Sequence, residues 1–234
     1  GIIGFKTENY KKSDEMIIKE LFGESQIRGK HATGLAFTFG KEILSHSAPV
    51  PAKEFIEDMK VYAYGEPLAL IGHTRYSTSD LSYNQPICSE EYAIAHNGVI
   101  TQADPKYWKE KFGYDCIGRN DSELILRAIE AGKEPLEEFP NSSIAAVQLK
   151  KNGELKFYRN GARPLWYTYH GDSLFVASTR DILRRAFQRV GMVSPIINEC
   201  TAGMTYYFDY AHQTINCETK QYQLDCSKYY LQLP

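Results

Sequence analysis

"SIAAVQLKKNGELKFYRNGARPLWYTYHGDSLFVAS" (residues 143–178) decides the fold class. It holds four short runs rich in β-branched and aromatic residues: "SIAAVQLK", "ELKFYR", "PLWYTY" and "LFVAS". Such residues fit a pleated, half-buried surface. The joints "KNG", "NGAR" and "HGD" supply the Gly and Asn that tight turns need. The stretch therefore reads as a meander of antiparallel strands.

Outward from this meander, strands and helices intermix. "NDSELILRAIEAGK" before it predicts a helix capped by Asn120 or Asp121, with Leu124, Ile125, Ala128 and Ile129 on one stripe and Gly132 as its stop. "TRDILRRAFQRV" after it predicts another helix, and "GMTYYFDY", "TINCETK" and "YQLDCSKYY" predict closing strands. Toward the start, "GIIGFK" reads as a buried strand. "SDEMIIKELFGES" reads as a helix capped by Ser13, with Asp14 and Glu15 at its positive end. "TGLAFTFG" and "EILSHSA" are strands about Gly40-Lys41, "PAKEFIEDMKVY" is a helix, and "PLALIGH" is a strand. "YAIAHNGVI" is a strand ending in a His-Asn-Gly turn. Many antiparallel strands with four or five helices fit two sheets in a sandwich, helices outside.

Composition bounds the function. The 234 residues are 43% hydrophobic and 24% charged, with net charge −2 and no acidic or basic block. This is an ordinary globular balance, long enough to bury a full core, and it implies neither a nucleic acid nor an anionic membrane as partner. No apolar run approaches the ~20 residues that span a bilayer. The five cysteines (Cys88, Cys116, Cys200, Cys217, Cys226) are odd in number and lack CxxC spacing. Reduced thiols in a cytoplasmic protein are expected, rather than disulfides or a zinc site.

Four polar segments sit where strands end or helices begin. In "GHTRYST" (residues 72–78), Arg75 offers a planar fork for a carboxylate and Thr78 a hydroxyl; a loop Arg paired with a surface acid would look the same. In "HNG", the Asn97 side-chain N–H and the Gly98 backbone N–H can together hold an oxyanion, although Asn-Gly is also a common turn. In "NDSE", Asp121 can hold an ammonium or cap a helix. "IRGKHATGLAF" places Arg28 between a helix and a strand. Together they form a recognition kit for an amino acid with a side-chain acyl group, and glutamine is the obvious candidate.

The ordered set "GIIGF", "RGKHATG", "GHTRYST", "NQPI", "AHNGVI" and "NDSE" resembles the class II glutamine amidotransferase domain, and "GARPLWY" and "LFVASTRD" extend the resemblance to about residue 180. The resemblance implies an α+β fold, the four-layer αββα sandwich of N-terminal nucleophile hydrolases, as a single domain over residues 1–234. It implies that a cysteine at the mature N-terminus attacks the amide of L-glutamine with its own α-amine as base, using neither cofactor nor metal. Carried over by position, Arg75 and Thr78 bind the carboxylate end, Asp121 binds the α-amine, Asn97 and Gly98 form the oxyanion hole, and Arg28 lies near the nucleophile. The family begins Cys-Gly-Ile-x-Gly, so the nucleophile is expected directly before Gly1. Ser79 stands where some members carry His, and "NDSE" replaces the commoner Ser-Asp-Thr-Glu while keeping the acid.

Cys88 and Cys116, lacking an adjacent α-amine, are expected to be inert thiols, and His73 and His96 to be structural. About 50 residues follow the last matched segment, too few for a synthase domain, so the acceptor chemistry is expected on an ammonia-accepting partner protein, or on a part of the protein outside this sequence. A glutamine-binding module lacking the nucleophile is the alternative. An amidase for another amide is disfavoured by Arg75 and Asp121, which specify a free amino acid.

Overall fold

A computed structural model describes residues 1–57, 64–76, 83–209 and 214–218. The elements in chain order are β1 (Ile2–Thr7), α1 (Lys12–Ser25), β2 (Ala32–Phe39), β3 (Glu42–Ala48), α2 (Ala52–Glu57), β4 (Leu68–Arg75), β5 (Ile87–Cys88) and β6 (Tyr92–Val99). Then come α3 (Trp108–Phe112), α4 (Ser122–Glu130), α5 (Pro135–Glu138), β7 (Ser143–Lys150), β8 (Leu155–Arg159), β9 (Trp166–His170) and β10 (Ser173–Ala177). The chain continues through α6 (Arg180–Arg189), β11 (Ile197–Glu199), β12 (Met204–Asp209) and β13 (Thr214–Glu218). Short 3-10 turns at Gln26–Arg28 and Pro105–Tyr107 complete the set.

Alternation along each strand builds the layers, because successive side chains point to opposite faces. On β1, Ile3 and Phe5 join Ile17, Ile18, Leu21 and Phe22 of α1 and Leu183 and Phe187 of α6 in an outer core. Ile2, on the opposite face, joins Ala36, Ala69, Ala95, Ala145 and Val147 in a central core between the sheets. On β7, Ala145 and Val147 face this centre, whereas Ile144 and Ala146 pack with Leu124, Ile125 and Ala128 of α4 in a third core. The order is helices, sheet, sheet, helices: a four-layer αββα sandwich of the N-terminal nucleophile hydrolase type.

One sheet has seven strands in the order β11-β9-β10-β1-β4-β2-β3 and the other six in the order β13-β12-β8-β7-β6-β5. All described pairings are antiparallel. The 143–178 meander is therefore two hairpins in different sheets. β7 pairs with β8 and β9 with β10, and "NGAR" is a crossing between sheets rather than a hairpin joint. Local turn chemistry looks the same in both cases; only the next pairing partner distinguishes them.

Other corrections are local. Ser13 lies inside α1, whose first residue follows Lys11, and the Lys11 N–H donates to the Asp14 carboxylate at 2.9 Å. "HNG" is no turn: β6 runs through it to Val99, with Asn97 opposite Ala145 and Gly98 opposite Ile144. The short α3, α5, β5 and β11 carried too little periodicity to be read. The helix from "PAKEFIEDMKVY" appears as α2 to Glu57; the rest of it and the strand "YQLDCSKYY" lie outside the described residues.

Candidate active site

Antiparallel pairing gathers the site. β1 lies between β4 and β10 and runs against both, so its start meets both of their C-terminal ends. The Thr74 N–H donates to the Gly1 carbonyl at 2.8 Å, and the Gly1 nitrogen donates to the Thr74 carbonyl. Beyond β10, the Ile2 N–H donates to Ser178 Oγ at 2.6 Å. The end of β6 arrives from the other sheet, and Asn97 Nδ2 donates to Ser178 Oγ at 2.8 Å.

These ends open on a cavity of about 750 Å³. Gly1, Arg28, Arg75, Asn97, Gly98 and Asp121 all line it. Thr78, and Ser79 beside it, lie outside the described residues. Arg119 and Arg163 also line the cavity, so four guanidinium groups face one carboxylate there among the described residues. That balance favours a ligand with an anionic group that can also place an ammonium near Asp121.

Arg75 and Asp121 are each held by nameable partners. Arg75 Nη1 donates to the Tyr83 carbonyl at 3.0 Å and to Asn84 Oδ1 at 2.9 Å. Asp121 opens α4, but its side chain does not cap it. Oδ2 instead accepts from the Ile100 N–H at 2.6 Å and the Thr101 N–H at 3.2 Å, tying the helix start to the end of β6. Oδ1 has no hydrogen-bond partner among the described residues. Asn120 supplies the local cap, its Oδ1 accepting from the Ser122 N–H at 3.1 Å.

Space demands glycine at two positions beside Asn97 and Arg28. Gly98 has φ +144°, and a Cβ there would lie 1.8 Å from the Ser143 carbonyl oxygen and 2.7 Å from His96 Nε2. A Cβ on Gly29 would lie 2.0 Å from the Arg75 carbonyl carbon, so glycine lets the Arg28 turn close against the end of β4.

A buried polar network supports the β6 end. His96 Nε2 donates to the Ser143 carbonyl at 3.0 Å, so His96 Nδ1 accepts from the Ser122 hydroxyl at 2.9 Å. Gln85 bridges the two, its Nε2 donating to Ser122 Oγ at 3.1 Å and its Oε1 accepting from the His96 N–H at 2.6 Å. His73 Nε2 lies 3.3 Å from Asn97 Oδ1. Burial holds His73 well below the ordinary imidazole pKa and also lowers His96. Both rings stay neutral near pH 7.

No cysteine among the described residues lines the cavity. Burial raises the Cys88 thiol, and burial together with Glu123 pushes Cys116 up to about 11. Both stay protonated at neutral pH and make poor nucleophiles.

Comparison with known proteins meets this geometry. Residues 73–185 match the family model of a glutamine amidotransferase domain. The chain is similar to class II glutamine amidotransferase domains. Among solved structures, glutamine phosphoribosylpyrophosphate amidotransferase from B. subtilis superposes with a TM-score of 0.71 at 22% identity, covering 93% of this chain and 48% of that one. A structure described as the allosteric regulatory enzyme of purine biosynthesis gives 0.68 at 19% identity, again over 93% and 48%. A glutamine aminotransferase class-II domain protein from Silicibacter pomeroyi gives 0.57 at 11% identity, over 93% of this chain and 98% of that one. The chain thus spans about half the length of the first two structures. No curated protein sequence matches it significantly.

The motifs of this glutamine amidotransferase-like domain held more than was assigned to them. Asn84 and Gln85 sit in "NQPI", Ser178 in "LFVASTRD" and Arg163 in "GARPLWY", and all serve or line the site. Glu123 of "NDSE" is 4% exposed. It accepts from the Ile117 and Gly118 N–H groups at 2.9 and 2.7 Å and pairs with Arg127 at 2.8 Å.

Proposed function

We propose that the domain hydrolyses the side-chain amide of L-glutamine to glutamate and ammonia, using a cysteine directly preceding Gly1. The observation that carries this reading is the convergence of Gly1, Arg75, Asn97, Gly98 and Asp121 on one cavity. In the reaction, the cysteine α-amine takes the thiol proton and the resulting thiolate attacks Cδ of glutamine. Charge develops on the amide oxygen, where the Asn97 Nδ2–H and the Gly98 N–H stabilise it. The proton passes to the leaving nitrogen and ammonia departs, leaving a γ-glutamyl thioester. Water then attacks the thioester, releasing glutamate and regenerating the thiol. An α-amine titrates near 7.7–8.0 in water and works as a base at neutral pH.

Arg75, with Thr78, takes the α-carboxylate, and Asp121 takes the α-ammonium through Oδ1, its Oδ2 being held by backbone. Arg28 flanks the nucleophile. Residues 1–234 act as one glutaminase domain, and the ammonia passes to an acceptor bound by a synthase or synthetase partner. The thiols of Cys88 and Cys116 suit a cytoplasmic setting.

The test is glutamate release from glutamine by protein bearing Cys before Gly1, beside the same protein with that Cys changed to Ala. Turnover by the first alone is expected. Glutamine binding by calorimetry without glutamate from the Cys-bearing protein would overturn the hydrolytic reading in favour of a binding module. Arg75→Lys, which loses the bidentate fork, should raise the KM for glutamine more than it lowers kcat.

A further inference from the structure

The side-chain amide of Asn97 is fixed from two sides. Nδ2 donates to Ser178 Oγ at 2.8 Å, and Oδ1 faces His73 Nε2 at 3.3 Å. The His73 ring is buried and its Nδ1 has no partner among the described residues. A buried N–H without an acceptor is rarer and costlier than a bare lone pair, so the ring proton belongs on Nε2, donating to Oδ1. This sets the orientation of the amide: oxygen to His73, one N–H to Ser178, and the second N–H left over at the cavity that Asn97 lines.

Ser178 is fully buried and does more than hold that amide. Its Oγ also accepts from the Ile2 N–H at 2.6 Å, and its own N–H returns to the Ile2 carbonyl at 3.2 Å. One hydroxyl oxygen thus uses both lone pairs to join β1 of the seven-stranded sheet to a β6 side chain of the six-stranded sheet. β1 leads to the reacting end of the chain, and Asn97 carries the oxyanion donor. The two belong to different layers, which the His73–Asn97 hydrogen bond from neighbouring β4 also ties at this end.

We propose that Ser178 is a positioning residue for the reaction: its hydroxyl fixes the Asn97 amide relative to the strand that carries the nucleophile. This rests on the glutaminase reading above. A donor aimed at a developing oxyanion acts in the transition state and not in ground-state binding. Loosening Asn97 should therefore lower kcat and spare the grip of Arg75 and Asp121 on the amino-acid end.

The experiment is a double-mutant cycle on the Cys-bearing protein, with kcat and KM for glutamine measured for Ser178→Ala, Asn97→Ala and both together. Deleting an oxyanion donor costs about 10²–10³ in kcat, so misaiming one is expected to cost roughly 10- to 100-fold. KM should stay within about threefold, and the double variant should be no slower than Asn97→Ala, because Ser178 acts through that amide. Ser178→Thr, which keeps the hydroxyl, should recover most of kcat, and Ser178→Cys, a weak acceptor, should not. That pair decides the matter where Ser178→Ala does not fold. Losses that multiply in the cycle, a KM effect as large as the kcat effect, or equal kcat for the Thr and Cys variants would overturn the positioning role alone. An inactive parent protein would instead overturn the glutaminase reading and this inference with it.

Discussion

Gly98→Ala should be among the most damaging single-methyl additions in the molecule. At φ +144°, an L side chain is strained by about 1–3 kcal/mol. The added Cβ would also stand 1.8 Å from the Ser143 oxygen, where real contacts begin near 3.0 Å. β6 and β7 must part by more than an ångström at Gly98 opposite Ile144, or the backbone must rotate away. Such overpacking adds about 1–3 kcal/mol, for a total near 4 kcal/mol. For a domain of this size each kcal/mol lowers Tm by about 2–4 °C, so a fall of roughly 8–16 °C is expected. The same rotation turns Asn97, one residue earlier, away from Ser178, so glutaminase activity should fall further than stability explains. Thermal unfolding by circular dichroism and a urea midpoint measure the first effect; kcat at a temperature where both proteins are folded measures the second. A Tm within 2 °C of the parent would refute the steric argument, since neither the strain nor the clash could then be real.

Asp121→Asn keeps an acceptor for the Ile100 and Thr101 N–H groups but removes the charge. The KM for glutamine should rise roughly 10- to 100-fold, the worth of a charge-assisted hydrogen bond, with Tm nearly unchanged. Asp121→Ala should lose both affinity and Tm, and equal Tm values for the two variants would contradict the role of Oδ2. Glu123→Ala strands two backbone donors and the Arg127 partner of a buried pair, so a loss of about 3 kcal/mol in urea denaturation is expected. The pH response follows from His73 and His96, both lowered by burial, with Arg75 opposing charge on His73 and Arg163 on His96. Below about pH 6.5 the unfolded chain takes up these protons and the folded one does not, so stability is full above that pH and falls by up to about 1.4 kcal/mol per pH unit for each ring as pH drops toward the folded-state values. His73→Gln should flatten the fall in Tm between pH 6.5 and 5; an unchanged slope would show that the ring does not carry it.

The sequence by itself determined the elements whose signals are local. Hydrophobic periodicity and glycine stops marked α1, α4, α6 and most strands, because apolar stripes and turn residues act within a few positions. The ordered polar motifs also named Arg28, Arg75, Asn97, Gly98 and Asp121, all of which line one cavity, while Thr78 lies outside the described residues. Tertiary structure alone decided which strands share a sheet. "KNG" closes a hairpin and "NGAR" crosses between sheets, a difference fixed by the cores that β8 and β9 join and not by the turn. It also decided what Asp121 and Ser178 do. A helix-start aspartate is free to cap its own helix until the end of β6 presents two backbone N–H groups. A serine after a strand has no legible partner until Ile2 and Asn97, 176 and 81 residues away, arrive at its hydroxyl. Hydrogen bonds over such separations depend on the register of two sheets and on their packing, which no window of sequence contains.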